Sequence, residues 1–319
     1  MNRSLLVVGL VACFGCQKEV HALTASTDPS RRHHVSFSII DSSNTLTRSH
    51  FMRQTIRATL VSAAIMSPLS SHAIITDPKT GIALPSPGEI ESAIPSDWSD
   101  FENTIVDGQK SQFARLDNSP DALFYTDARF VEHVDENAVR KMTQYISRDA
   151  IRPNDTVLDL CSSWTSHIDA SMVTPKSVVG LGMNSKELEA NSILSSWNVQ
   201  DLNANPKLPY PDDSFHVVLC QLSIDYLTKP LAVLKEVGRV LQPGGSVHVL
   251  FSNRLFLSKA VGIWTGADDV DHAFTVGAYL HFCDGGFENI QARDLSTRTG
   301  RDKRIVGDPL YVVTANTKS

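Results

Sequence analysis

The 319-residue sequence lacks most features that would place it in a specialised class. It has five cysteines; Cys13 and Cys16 fall inside the expected signal peptide, and the remaining Cys161, Cys220 and Cys283 lack metal-ligand spacing, so neither a zinc site nor a disulfide framework is expected. No apolar run reaches the roughly 18–20 residues that span a bilayer, and Leu5–Cys16 stops well short of that. An excess of positive charge is also missing. The net charge is −6, and from residue 74 onward twenty-two Lys/Arg face thirty-two Asp/Glu, a balance of −10. So acidic a body is a poor general binder of phosphate backbones, and nucleic acid is not expected as a partner. Repeats and low-complexity arrays are absent. With 42% hydrophobic and 20% charged residues, what remains is a globular protein able to bury one or two ordinary cores.

The amino terminus reads as a targeting region over residues 1–73. Arg3 and the apolar run Leu5–Cys16 lead to Val20-His21-Ala22, the small-residue ending of a signal peptide. Residues 23–57 are rich in Ser and Arg with only Asp28 and Asp41 as acids, a transit-peptide composition. A second apolar stretch, Ala58–Met66, precedes Ser71-His72-Ala73, another plausible cleavage end. This order is that of multipartite targeting to a plastid, with the thylakoid lumen as a possible destination and no stable membrane span in the mature protein. Two alternatives stay open: Leu10-Val11-Ala12-Cys13 resembles a lipoprotein box, which would make the protein secreted or lipid-anchored, and the second run can be read as a buried or anchoring helix; the Ser/Arg-rich stretch between the runs favours the organelle.

Residues 74–120, with Pro78, Pro85, Pro87, Pro95, Gly81 and Gly88, read as an extended arm, and 121–319 as the folded domain. Val139, Met142, Tyr145 and Ile146 recur at helical spacing within 135–150. Strands are expected at 156–160, 177–181, 198–202, 216–222 and 246–252, with helices at 187–195 and 231–241 between them. Such alternation implies a mostly parallel sheet covered on both faces, with ligands at the carboxyl ends of its strands. Residues 285–290 and 310–315 offer an antiparallel edge pair. Residues 254–272 read as an insertion after the fifth strand, a candidate lid. Its Asp268, Asp269, Asp271 and His272 are more simply a solvated acidic loop than a metal site.

Val157-Leu158-Asp159-Leu160, Val178-Val179-Gly180-Leu181, the stretch from Leu208 to Val218 and Glu236-Val237-Gly238-Arg239-Val240-Leu241-Gln242-Pro243-Gly244-Gly245 resemble, in order and spacing, the successive motifs of the type 11 class I methyltransferases. The resemblance spans about 100 residues. It implies a Rossmann-like α/β fold with a mostly parallel seven-stranded sheet, S-adenosyl-L-methionine as cofactor and a small-molecule methyl acceptor as partner.

The resemblance assigns cofactor binding to Asp159 at the end of the first strand, to Asp201 and Leu202 against the adenine, and to Gln221. Two departures stand out. Where the family has loop glycines that let the backbone approach the cofactor, this chain has Cys161, Ser163 and Thr165. Where the family has an acid for the ribose hydroxyls it has Gly182, with Asn184 two residues on as a weaker substitute. The loop is therefore either a modified cofactor site or one that has lost the cofactor. The second option gives a noncatalytic methyltransferase-like binding protein, and a different nucleotide-dependent enzyme on the same sheet is a third. Asp225, Tyr226 and His167 are the candidates for base or orienter in the transfer step, with a structural role as the alternative for His167. The aromatic segment Phe124–Phe130 is a candidate wall of the acceptor pocket, with packing on the core as its alternative.

Overall fold

The computed structural model of the chain describes residues 112–300 and 303–319. The targeting region 1–73 and most of the proposed arm lie outside the described residues. The described end of the arm, 112–120, packs along the segment 256–264, with Ile263 N donating to Gln112 O (2.7 Å) and Gly262 N to Ala114 O (2.9 Å).

The strands that build the domain are β1 (Thr156–Ser162), β2 (Ser177–Gly182), β3 (Ser196–Val199), β4 (Phe215–Gln221), β5 (Leu241–Phe251), β6 (Phe287–Asp294) and β9 (Tyr311–Thr317), with β7 (Arg298–Thr299) and β8 (Arg304–Ile305) as a separate small ribbon. They form a seven-stranded sheet of order β3-β2-β1-β4-β5-β9-β6. All neighbours are parallel except β9, which runs antiparallel to β5 and β6. The expected Rossmann-like fold is thus present. The tail pair is antiparallel, but β9 inserts between β5 and β6 and leaves only β6 at the edge. Strand order reverses between β1 and β4, the position at which such sheets open a crevice at their carboxyl ends.

Alternation along the strands sends side chains to two buried clusters, one on each face. Leu158, Leu160, Val218, Cys220, Val247 and Val249 meet α4 (Pro230–Val240) and α5 (Asp269–Phe282), while Val157, Val217, Leu219 and Leu250 meet α2 (Glu136–Tyr145). Each fully buried Leu or Val contributes roughly 1.5–3 kcal/mol through its apolar surface. A short helix α1 (Asp121–Phe124) precedes α2; Asp135 caps α2 by accepting from Ala138 N at 2.9 Å, and α2 ends in a π-turn over Ile146–Ala150.

Three elements differ from the sequence expectation. Strand β3 lies two residues earlier than expected and is exposed, so it carries no apolar alternation to fix its bounds. Helix α3 (Ser185–Ala190) starts earlier and is shorter than the expected 187–195. The candidate lid beyond 268 is α5, whose face is buried nearly all round and therefore has no amphipathic stripe to read. Asp268 and Asp271 form its capping box, and Asp269 accepts from Tyr311 Oη (3.0 Å), which accounts for the acidic cluster. Among the described residues no His/Cys/Asp/Glu group is arranged to hold a metal, and no helix is long and apolar enough to cross a membrane.

Candidate active site

A cleft opens at the carboxyl ends of β1, β2 and β4, enclosing about 1140 Å³ of non-atom space including its mouth. Asp159, Cys161, Ser163, Thr165, His167, Asp201, Leu202, Gln221 and Tyr226 all line it; Asn184 and Asp225 do not.

Its floor is the loop after β1. Cys161 takes φ 58°, the left-handed region that a glycine enters freely and a cysteine enters at a cost of about 1 kcal/mol. The turn therefore keeps the glycine's backbone course with a side chain attached. Hydrogen bonds hold it there. Asp159, 1% exposed, accepts from Ser162 Oγ (2.6 Å) and Ser166 Oγ (2.7 Å) on one oxygen and from Gln221 Nε2 (2.9 Å) on the other. Asn191 donates to Ser163 O and Ser166 Oγ, both at 2.9 Å. Burial pushes the Asp159 carboxyl upward, opposed by these three donors. Asp159 thus acts on the loop, which in turn shapes the cleft.

Gln221 also donates to Ser166 O (3.1 Å), so its Oε1 faces His167 Nδ1 at 2.8 Å. His167 Nε2 lies 3.0 Å from Glu132 Oε2. Both ring nitrogens are thus engaged by side chains of the cleft, and neither is turned to its open space. Hydrogen bonding from His167 holds the Glu132 carboxyl below its ordinary value.

Gly182 is explained by packing. Parallel pairing of β1 and β2 shifts register between Leu160 and Ser162, and a Cβ on Gly182 would meet Ser162 O at 2.1 Å. No acid fits there. The carboxylate in this part of the cleft comes instead from Glu187, one turn into α3 and 8% exposed, which accepts from Ser163 Oγ and Arg129 N, each at 2.7 Å. The Asn184-to-Glu187 spacing is that of a capping box, yet only Asn184 caps, accepting from Lys186 N (3.0 Å) and Glu187 N (3.3 Å). Its amide donates to Tyr125 O (2.9 Å) and Thr126 O (3.2 Å), so Asn184 anchors the 121–134 segment instead of reaching the cleft. An acid at N3 of the helix following the missing ribose acid was the available signal for Glu187.

After β3, Asp201 Oδ1 accepts from Asn203 N (2.9 Å) and Ala204 N (3.2 Å), leaving Oδ2 without a donor among the described residues. Asn203 bonds Asp121 Oδ2 (2.8 Å), Tyr226 O (2.9 Å) and Thr228 N (2.7 Å), tying together the loops after β3 and β4.

The other wall is aromatic. Tyr226 accepts from Phe256 N at 2.9 Å, and burial raises its hydroxyl far above the ordinary tyrosine value, so it is a neutral phenol. Tyr125 is likewise raised by burial. Asp225 lies behind this wall, 4% exposed, with Oδ2 lacking any hydrogen-bond partner and its carboxyl pushed up to about 8 by burial. Segment 125–134 contributes two groups that the sequence reading did not single out, Arg129 and His133. His133 is an exposed residue whose ring stands T-shaped to Phe256 (5.3 Å between centroids, 77°); partial burial, then the Arg129 charge, lowers its pKa. It is thus a neutral imidazole facing the cleft.

Residues 161–249 match the family model described as "Methyltransferase domain". The chain is 29% identical over 107 residues to demethylmenaquinone methyltransferase of Lysinibacillus sphaericus, covering 32% of this chain and 46% of that protein. To the Lactococcus lactis protein of the same name it is 35% identical over 100 residues, 29% and 40% of the two chains. To 27-O-demethylrifamycin SV methyltransferase of Amycolatopsis mediterranei it is 26% identical over 164 residues, 47% and 60%. The chain spans about half the length of the curated relatives it matches. With the strand order above, the folded region combines a Rossmann-like sheet with a stretch, 161–249, that is similar to a methyltransferase domain.

S-adenosyl-L-methionine is the cofactor of this family, and the residues of the cleft fit it. The Cys161 turn keeps the floor low, Ser163 and Thr165 line the cleft without closing it, and Glu187 and Asp201 supply carboxylates on the β2 and β3 sides.

Proposed function

We propose that the chain transfers a methyl group from S-adenosyl-L-methionine to a small-molecule acceptor. The observation that carries this reading is the open cleft above a glycine-free loop whose first residue still holds a left-handed turn. A loop that merely capped a helix would have no use for that strain. The cofactor, when bound, supplies an electrophilic methyl on a sulfonium. Glu187, Asp201 and Leu202 would hold it, and the aromatic wall would position the acceptor beside it. The 121–134 segment borders the cleft and is fastened there by Asn184, Glu187, His167 and Trp164. For an oxygen or nitrogen acceptor, His133 is the group that takes the proton, because His167 has both ring nitrogens engaged and Tyr226 holds its proton. The names of the relatives, a quinone and a rifamycin methyltransferase, support a small-molecule acceptor.

Incubating the full-length protein with methyl-tritiated cofactor and a library of small phenols, quinols and acids tests the activity. Label in a small-molecule product is the expected result; label absent from every acceptor, in a protein that also fails to bind cofactor, contradicts it and favours the noncatalytic alternative. Plastid targeting belongs to the same reading, supported by the apolar and Ser/Arg-rich order of residues 1–73. A mature amino terminus near Ile74 is expected on sequencing the purified protein, and one near Leu23 would remove the lumen as destination.

A further inference from the structure

Arg129 is a cation without a counter-ion. It lines the cleft half-buried, and among the described residues no carboxylate forms an ion pair with it. Its guanidinium carbon sits 4.4 Å above the Phe124 ring centroid, 5.7 Å from that of Phe256 and 5.9 Å from that of Tyr125. One of its donors, Nη2, is used on Phe124 O at 2.9 Å. The backbone N of the same residue is fixed by Glu187, so the side chain starts from a rigid point. A guanidinium has five N–H donors in a planar fork suited to two oxygens of a carboxylate or to a phenolate, and the rings around it lower its hydration. Elsewhere on this face the cations are matched: Arg115 and Lys259 are buried against Asp121 and Asp117. The isolated charge is therefore specific to the cleft.

The surroundings add shape. Phe256 stands edge-on to Phe124 (5.4 Å, 71°) and to the His133 ring (5.3 Å, 77°), and tilted against Tyr226 (6.0 Å, 37°). Phe256, Tyr226, Tyr125 and His133 line the cleft beside the guanidinium with their rings set at angles to one another, an aromatic surround into which a planar ring fits.

We infer that the acceptor is a planar aromatic compound bearing an acidic oxygen, carboxylate or phenolate, and that Arg129 binds this oxygen while the ring lies on the Phe256 wall. The inference rests on the proposed methyltransferase reading for the identity of the site, but Arg129 and the wall recognise the ligand whether or not the cofactor is present. Charge and ring are both required: an aliphatic acid lacks the stacking surface and a neutral aromatic leaves the guanidinium unpaired.

The test uses a matched pair of probes, 2-naphthoate and 2-naphthamide, titrated into the full-length protein and followed by ligand-observed NMR, with and without S-adenosylhomocysteine. The expected result is binding of the carboxylate about tenfold tighter than the amide, with the preference abolished in Arg129→Met and partly restored in Arg129→Lys. Homocysteine-analogue affinity stays within about twofold in both variants, which shows that the fold and the cofactor side are intact. Equal affinity for the two probes, an undiminished preference in Arg129→Met, or no binding of either probe overturns the inference. Failure of S-adenosylhomocysteine to bind, alongside retained selectivity for 2-naphthoate, would instead count against the methyltransferase reading and leave the aromatic-acid site standing.

Discussion

The two walls of the cleft are built on opposite principles. On the β1 side nearly every polar side chain is spent on another: Asp159 takes three donors, Gln221 bridges Asp159, Ser166 and His167, and Asn191 closes the loop from beneath. On the acceptor side, among the described residues, Arg129 forms no ion pair and His133 makes no hydrogen bond, while behind this wall Asp225 keeps an oxygen without a partner. A satisfied network fixes one geometry, as a constant ligand such as a cofactor requires. Unspent capacity is what a site offers to a ligand that must be chosen by its own chemistry.

The comparison can be broken at several points. The largest effect is expected from Asp225, behind the acceptor-side wall. Its folded pKa of about 8 lies above the unfolded value of 3.8, so the protonated form is favoured by folding. Stability from this group is fully present below about pH 4, shrinks as pH rises, and is lost by about pH 8, a change of up to roughly 5 kcal/mol. Asp225→Asn should flatten that part of the stability curve in urea unfolding across this pH range; a wild type no more pH-dependent than the variant would show that the carboxyl is not buried as described.

Next comes Gly182→Asp, which restores the family's acid in sequence but drives a Cβ into Ser162 O. A loss of about 3 kcal/mol is expected by thermal unfolding, without any gain in cofactor affinity. Asp159→Ala, which strands the buried Ser162 and Ser166 hydroxyls, should cost about 2–3 kcal/mol and weaken cofactor binding through the loop. Glu187→Gln should leave stability within about 1 kcal/mol and lower cofactor affinity about tenfold by calorimetry. Were Glu187→Gln instead to cost as much stability as Asp159→Ala, Glu187 would belong to the scaffold and not to the ligand side.

The sequence made the sheet legible because β1, β2, β4 and β5 are apolar runs buried on both faces, and their order carries the fold. Exposed β3 and fully buried α5 were hard to read for opposite reasons, one with too little apolar pattern and the other with apolar residues on every side. Residues at strand ends, Asp159, Asp201 and Gln221, fall on the cleft because strand ends converge there. What stayed hidden depends on three-dimensional pairing. Nothing local to Asn184 says that its amide faces Tyr125, and nothing local to Gly182 says that Ser162 O occupies the space of its missing side chain. Arg129 and His133 come from a segment that is adjacent to the site only after folding.

Whether a loop without glycines still forms a working cofactor site is decided by calorimetric titration of the full-length protein with S-adenosyl-L-methionine and S-adenosylhomocysteine. Saturable binding in the micromolar range, weakened in Glu187→Gln and Asp201→Ala, is the predicted result. A folded protein that binds neither compound would contradict it and leave the domain a noncatalytic relative of the family.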